Sequence, residues 1–369
     1  MRNITTKNKP DIYLLFFVIL LVGIGLMMIY SASHIWATDK FADPFYFVKR
    51  QGLFAVLGIA LMFFVMQIHY LQWKKYVYII LFLSYLLLIL VLIPGIGIVR
   101  GGAQSWIGIG IFSIQPAEFS KLALIIFLST FLTSKNTEIT SLKKGFIPSL
   151  FILFSTFGFI MLQPDLGTGI VLVLTCMLLI FIAGAKISHF LSLAAMGGIA
   201  FVGLILSAPY RISRITAFLN PWEDPLGDGF QIIQSLYAIG PGGLLGVGFK
   251  NSLQKYFYLP EPQTDFIFSI FAEEYGFIGG VGLLILFILV LWRGIYIALK
   301  APDAFSRFLA FGIVGMITIQ VMINISVVIG LIPVTGITLP LLSYGGSSLV
   351  LCLFSIGILL NISKFTKDY

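Results

Sequence analysis

Long apolar stretches separated by short polar breaks set the pattern of this chain. A run of about 20 apolar residues crosses a bilayer as an α-helix. Such runs recur ten times, at 12–33, 49–67, 76–97, 116–134, 146–163, 166–184, 187–208, 266–292, 308–332 and 340–361. Between the fifth and sixth only QPDLGT interrupts the apolar sequence. Hydrocarbon satisfies no backbone polar group, so these runs form helices rather than open strands. The expectation is an all-α polytopic membrane protein in which residues 1–369 form one transmembrane domain. Its one long polar interval is the loop 209–265.

Composition agrees. The chain is 59% hydrophobic and 10% charged, against roughly 45–50% apolar for soluble domains. An even number of spans puts both termini on one side. The N-terminus, 68–75, 135–145, 185–189, 293–307 and the C-terminal tail would then share a face, and they carry 14 Lys and Arg. The opposite short loops carry four: Lys40, Lys49, Arg50 and Arg100. Basic residues gather in short cytoplasmic loops, and long loops are discounted in this comparison. Both termini are therefore expected in the cytoplasm of a cell-membrane protein, with 209–265 outside. The net charge of +8 mostly reflects those loops and gives no support for nucleic-acid binding. YSASHIWA, at the end of the first run, resembles a signal-peptidase site. Its apolar run exceeds a signal core of 7–15 residues and many spans follow, so an uncleaved helix is expected. Cys176 and Cys352 lie within apolar spans, with no His nearby, and suggest neither a disulfide framework nor a metal site.

Chemistry must then occur in the bundle or in the long loop. There, GFQIIQSLYAIG reads as a short amphipathic helix lying at the interface. The glycines at 240, 242, 243, 246 and 248 lack G-x-x-x-x-G-K-[ST] and follow no strand. Tight turns and close backbone packing are their expected roles. Each ionisable group inside the bundle costs a few kcal/mol, which makes such groups informative. Glu118 and Lys121 stand three apart on one helical face, just after Pro116, and Asp165 lies near the same outer boundary. They form an ion-pair cluster locking helices, or line a polar cavity that positions an anionic substrate; the two are compatible. Asp265 stands where the polar LPEPQTD enters an apolar helix. It is a helix N-cap or a catalyst, and Thr264 could cap equally well. Glu273 and Glu274 follow about two turns deeper, on faces that give no carboxylate dyad with Asp265.

NISVVIGLIPVTGITLPLLSYGGSS at 324–348 resembles the signature of the SEDS family (shape, elongation, division and sporulation). SWIGIG at 105–110, SIQPAEFSK at 113–121, QPDLGTG at 163–169, NPWEDPLGDGFQIIQSLYAIGPGGLLGVG at 220–248 and LPEPQTDFIFSIFAEEYGFIGG at 259–280 match in the family's order. The short tails and LNPWEDP point to its division and sporulation branch. The resemblance implies peptidoglycan glycosyltransfer at the outer face of the cytoplasmic membrane. Lipid II would be polymerised onto a growing glycan strand, with undecaprenyl-pyrophosphate leaving and a class B penicillin-binding protein, a transpeptidase, as partner. It also implies that Asp265 is the catalytic residue. An α-linked donor and a β-1,4-linked polymer require one inverting displacement, which needs one carboxylate as general base and no carboxylate nucleophile. The leaving pyrophosphate needs positive charge. Arg50, Lys121, Arg211, Arg214 or a divalent cation could supply it, and the sequence does not choose. Trp106 stacks on a sugar or anchors the membrane interface. A lipid II flippase and a non-catalytic scaffold are the competing classes. Gly276 and Gly280 pack against the partner along the eighth and ninth spans, or against neighbouring spans of the same chain.

Overall fold

Each of the ten apolar runs contains a helix. The computed structural model describes residues 9–366 apart from 101–102, 110–111, 136–137, 207–217, 228 and 257. The first half holds α1 (Ile12–Phe41), α2 (Tyr46–Val65), the short α3 (Leu71–Lys75), α4 (Val77–Leu90), α5 (Pro116–Ser134), α6 (Ile147–Met161) and α7 (Leu166–Ile182). The second holds α8 (Ile187–Leu206), α9 (Phe230–Ile239), α10 (Ile267–Leu299), α11 (Ala304–Val328) and α12 (Gly346–Ser363). Among the described residues, seven helices are long and apolar enough to cross a membrane, and the apolar segments Val77–Leu90, Leu166–Ile182 and Ile187–Gly198 are shorter. The chain is a multi-pass membrane protein.

Aspartates start several of these helices. Asp11 accepts from the Leu14 amide at 2.9 Å, and Arg293 of α10 pairs with the same carboxylate. Asp303 forms a capping box with Ser306, and the Tyr70 hydroxyl donates to it at 2.6 Å. α12 lies along α2, α10 packs against α1 and α11, and α5 packs against α4, α7 and α11.

Three departures from the hydropathy pattern matter. α4 stops at Leu90, and 97–114 contains a small antiparallel sheet of β1 (Gly97–Arg100), β2 (Ala103–Ile109) and β3 (Phe112–Ile114) in that order. Trp106 faces Ile98 across it. The glycine-rich, alternating sequence of this stretch carries little hydropathy signal, so the all-α expectation omits it. Secondly, the tenth run becomes helical only at Gly346; Pro340 and a left-handed Leu341 (φ 66°) keep 340–345 in the preceding loop. Thirdly, α9 is held against the bundle by one face. Its Ile232, Ile233, Ser235 and Ala238 are buried, and the Ser235 hydroxyl lies 2.8 Å from that of Ser269 and donates to the Val328 carbonyl at 2.6 Å.

α10 is broken at Gly276, whose φ of 67° and ψ of −165° leave the helix. The break withdraws the helical bonds from the Phe277 and Ile278 amides to the Glu273 and Glu274 carbonyls. Loop 243–248 replaces them. The Val247 and Gly248 amides donate to those carbonyls at 3.0 Å each, while Phe277 and Ile278 donate to the Gly243 and Leu244 carbonyls at 2.8 and 3.1 Å. Backbone polar groups inside a membrane protein must be met internally, and this strap meets all four. A Cβ on Gly246, at φ 78°, would stand 2.2 Å from the Glu274 carbonyl oxygen. Of the glycines expected in turns and close packing, Gly242 and Gly246 pack closely, and Gly243, Gly246 and Gly248 take positive φ.

Candidate functional site

The connection between α11 and α12, residues 329–345, is held by polar groups from several elements. At its start Asn324 of α11 donates through Nδ2 to the Asp265 carbonyl at 2.7 Å and to the Ile337 carbonyl at 2.8 Å. At its end the Tyr344 amide donates to the Gln263 carbonyl at 2.8 Å. Gln51 of α2 holds the same end, donating to the Ser343 carbonyl at 3.1 Å and accepting from the Gly345 amide at 3.2 Å. On another side, Gly167 lets α7 approach so closely that a Cβ there would lie 2.4 Å from the Thr335 carbonyl oxygen. One loop thus touches the Asp265 segment, α2 and α7.

Asp265 stands just ahead of α10. Phe266 occupies the N-cap position, and no side chain caps the helix. The carboxylate instead accepts from the Thr264 hydroxyl at 2.9 Å, a hydroxyl also 2.7 Å from the Glu261 carbonyl. The capping alternative is therefore not the geometry adopted. Burial pushes this carboxyl above the ordinary aspartate value of 3.8; the Thr264 bond opposes the rise and the charge of Glu261 adds to it. A carboxylate held this way is a stronger proton acceptor than an ordinary one.

Glu118 and Lys121 pair directly, Nζ to Oε1 at 2.7 Å, with Lys121 only 2% and Glu118 11% exposed. The Ser348 hydroxyl, in the first turn of α12, lies 3.4 Å from the other Glu118 oxygen. Asp165 caps α7 by accepting from the Thr168 amide at 3.1 Å, and Gln115, one residue ahead of α5, donates to it at 2.6 Å. Asp165 therefore ties the start of α7 to the start of α5, while Glu118 and Lys121 pair within α5 and Glu118 faces Ser348 of α12. Arg50 stacks over the Tyr46 ring at 4.1 Å, with no carboxylate partner among the described residues. Trp106 is half-buried in β2. Arg211 and Arg214 lie outside the described residues.

Glu273 and Glu274 are both consumed by structure. Glu273 accepts from the Ser252 hydroxyl at 2.6 Å and the Leu253 amide at 2.7 Å. Glu274 accepts from Ser31 of α1 at 2.6 Å and forms a wholly buried ion pair with Lys255 at 3.1 Å. Burial lowers the Lys255 pKa, and Glu274 opposes that shift. Gly276 and Gly280 are likewise buried within the chain, which favours internal packing for both. Sequence reasoning passed over Asn324, Gln51, Gln263 and Lys255. For the first two the available signal was an uncharged amide inside an otherwise apolar run. Among the described residues no group of three or more His, Cys, Asp or Glu side chains is placed to hold a metal ion.

A family model described as cell cycle protein, covering FtsW, RodA and SpoVE, matches residues 12–368. The chain is 61% identical over 363 residues to stage V sporulation protein E of Bacillus subtilis (strain 168), covering 98% of this chain and 99% of the relative. It is 43% identical over 365 residues to a probable peptidoglycan glycosyltransferase FtsW of Geobacter metallireducens, covering 99% and 97%. Among solved structures, a chain from work on the structural coordination of polymerization and crosslinking by a peptidoglycan synthase complex aligns with TM-score 0.81 at 31% identity, covering 96% of this chain and 97% of that one. The rod shape determining protein RodA of Thermus thermophilus aligns with TM-score 0.71 at 30% identity, covering 98% of each chain.

Proposed function

The chain belongs to the FtsW, RodA and SpoVE family of cell cycle proteins, and from that premise we propose that it is a peptidoglycan glycosyltransferase with Asp265 as its general base. In this reading lipid II is the donor and the growing glycan strand the acceptor. The Asp265 carboxylate takes the proton from the acceptor sugar's 4-hydroxyl as that oxygen attacks the anomeric carbon. Undecaprenyl-pyrophosphate departs from the opposite face, so the configuration inverts in one step. General-base assistance of this kind contributes typically about 10²–10⁴-fold.

The observation that carries the proposal is the state of Asp265. Its carboxylate neither caps α10 nor pairs with a cation among the described residues; it sits partly buried on one Thr264 bond, with its pKa raised. Glu273 and Glu274 are occupied elsewhere, so neither of the two acids deeper in α10 competes with Asp265 for this role. Arg50 is the described candidate for the leaving pyrophosphate, because Lys121 is already neutralised by Glu118. Arg211 and Arg214 are further candidates. The charge asymmetry of the loops supports placing Asp265 at the outer face of the cytoplasmic membrane with both termini inside. A polymerase of this kind works beside a transpeptidase, and the likeness to a chain of a peptidoglycan synthase complex supports a class B penicillin-binding protein in that place. High identity to a sporulation protein favours a role in spore-wall or division synthesis.

The deciding experiment is polymerisation of lipid II by the purified protein in detergent, with and without Asp265→Asn. Polymer from the wild type and none from the variant is expected. A flippase needs two compartments and gives no polymer in detergent; a variant as active as the wild type removes Asp265 from the chemistry.

A further inference from the structure

We infer that Asn324 is a positioning residue for Asp265, holding the carboxylate at the depth and angle its chemistry requires; this rests on the general-base reading above. Asn324 is 1% exposed. Both contacts of its amide nitrogen are main-chain carbonyls, that of Asp265 at 2.7 Å and that of Ile337 at 2.8 Å. One side chain thus fixes the peptide that leaves Asp265 to the middle of the 329–345 loop. The next two residues, Phe266 and Ile267, are 1% and 0% exposed, so the chain beyond Asp265 is packed into the core. On the near side Pro262 and Gln263 are also buried, the Tyr344 amide bonds the Gln263 carbonyl, and the Thr264 amide and hydroxyl close a turn onto the Glu261 carbonyl. The Asn324 contact is the side-chain bond to the carbonyl of Asp265 itself, and a rotation of that peptide swings the carboxylate.

A second observation concerns the other half of the same amide. The Asn324 Oδ1 is buried with no hydrogen-bond partner among the described residues. A buried unpaired acceptor opposes folding, and such groups in native proteins call for a reason beyond stability. The two donors of the amide are what the site employs. Ser or Thr has one donor and cannot serve both carbonyls, and Asp when ionised has none.

The test uses the full-length protein in detergent. Asn324→Ala and Asn324→Ser are compared with the wild type for melting temperature and for initial rates of lipid II polymerisation across pH and substrate concentration. A misplaced catalytic group costs on the order of 10²-fold, so kcat of the folded Ala variant should fall by about that factor with KM nearly unchanged. Ser should fall between Ala and wild type. The acid limb of the rate profile should also move to lower pH in both. Loosening the peptide admits water to the carboxylate, whose neighbours are the Thr264 hydroxyl and the charge of Glu261. A limb that stays in place, with rates falling only in proportion to the folded fraction, overturns the inference, as does failure of both variants to yield a monodisperse protein. If Asp265→Asn remains active, the general-base reading itself fails. If Asp265→Asn is dead and the Asn324 limb does not move, only the present inference fails.

Discussion

Removing the negative partner of Lys121 should be the most damaging single change among the buried charges of α5. The ammonium is 2% exposed and 2.7 Å from Glu118, and the Ser348 hydroxyl lies 3.4 Å from the other oxygen of that carboxylate. Glu118→Leu keeps the volume and leaves the ammonium buried without a counter-charge. Breaking a buried pair from one side costs about 3–5 kcal/mol, whereas replacing both members by apolar residues of similar size is often neutral. Lys121→Met should therefore cost a similar amount alone, and the double variant should recover most of it. The expected coupling is at least about 2 kcal/mol, within the range seen for contacting residues. Equilibrium unfolding of the four purified proteins in a denaturing-detergent titration gives the cycle. Single-variant costs that add to within about 0.5 kcal/mol would refute the direct pair. A cost below about 1 kcal/mol for Glu118→Leu would place the pair among exposed ones.

Further outcomes follow from other parts of the fold. Gly246→Ala should lower the melting temperature clearly, because its φ of 78° and a 2.2 Å approach to the Glu274 oxygen exclude a Cβ, while Gly240→Ala, with nothing within 4 Å, should be close to neutral. Asp265→Asn should melt no lower than the wild type at neutral pH: its native pKa lies above the unfolded value, so the native state binds more protons in that interval and stability falls as pH rises through it. A lower melting temperature for the variant would contradict the desolvation argument. For orientation, a cysteine at Leu226, 88% exposed, should react with an impermeant thiol reagent in intact spheroplasts, and one at the exposed Lys144 should not. The reverse labelling pattern would put Asp265 on the wrong side for wall synthesis.

What could be read in advance divides along physical lines. The helices were legible because lipid enforces long apolar runs, and Glu118 with Lys121 was legible because an i, i+3 pair shares a face in any helix. The departure at 97–114 was not, since a short glycine-rich meander has no distinctive hydropathy. Nor was the late start of α12: the apolar sequence from 340 continues through both loop and helix, and only Pro340 and the glycines hint at the boundary. Asp265 could be located but not interpreted from spacing. Whether it capped the helix depended on where α10 begins, and a shift of one residue, with Phe266 at the cap, decides the matter.

The same limit explains why Asn324 and the 243–248 strap went unseen. The strap serves the Gly276 break, which lies inside an apolar run, and Asn324 serves the Asp265 and Ile337 carbonyls, which lie between runs, where hydropathy says nothing of backbone shape. Irregular backbone in a membrane protein survives only where protein groups replace the missing helical bonds. In the 329–345 loop those groups are Asn324, Gln51 and Ser343, the last accepting from the Leu339 amide at 2.8 Å. At the α10 break they are the amides and carbonyls of 243–248. Each solution joins residues far apart in the chain. The two irregular segments flank the same helix: one fixes Asp265 at its entrance, the other passes over Glu273 and Glu274 two turns on. An unbroken α10 would keep the Glu273 and Glu274 carbonyls for its own ladder and leave the strap with nothing to bond. The break is therefore what lets the long loop be anchored beside the residue proposed to do the chemistry.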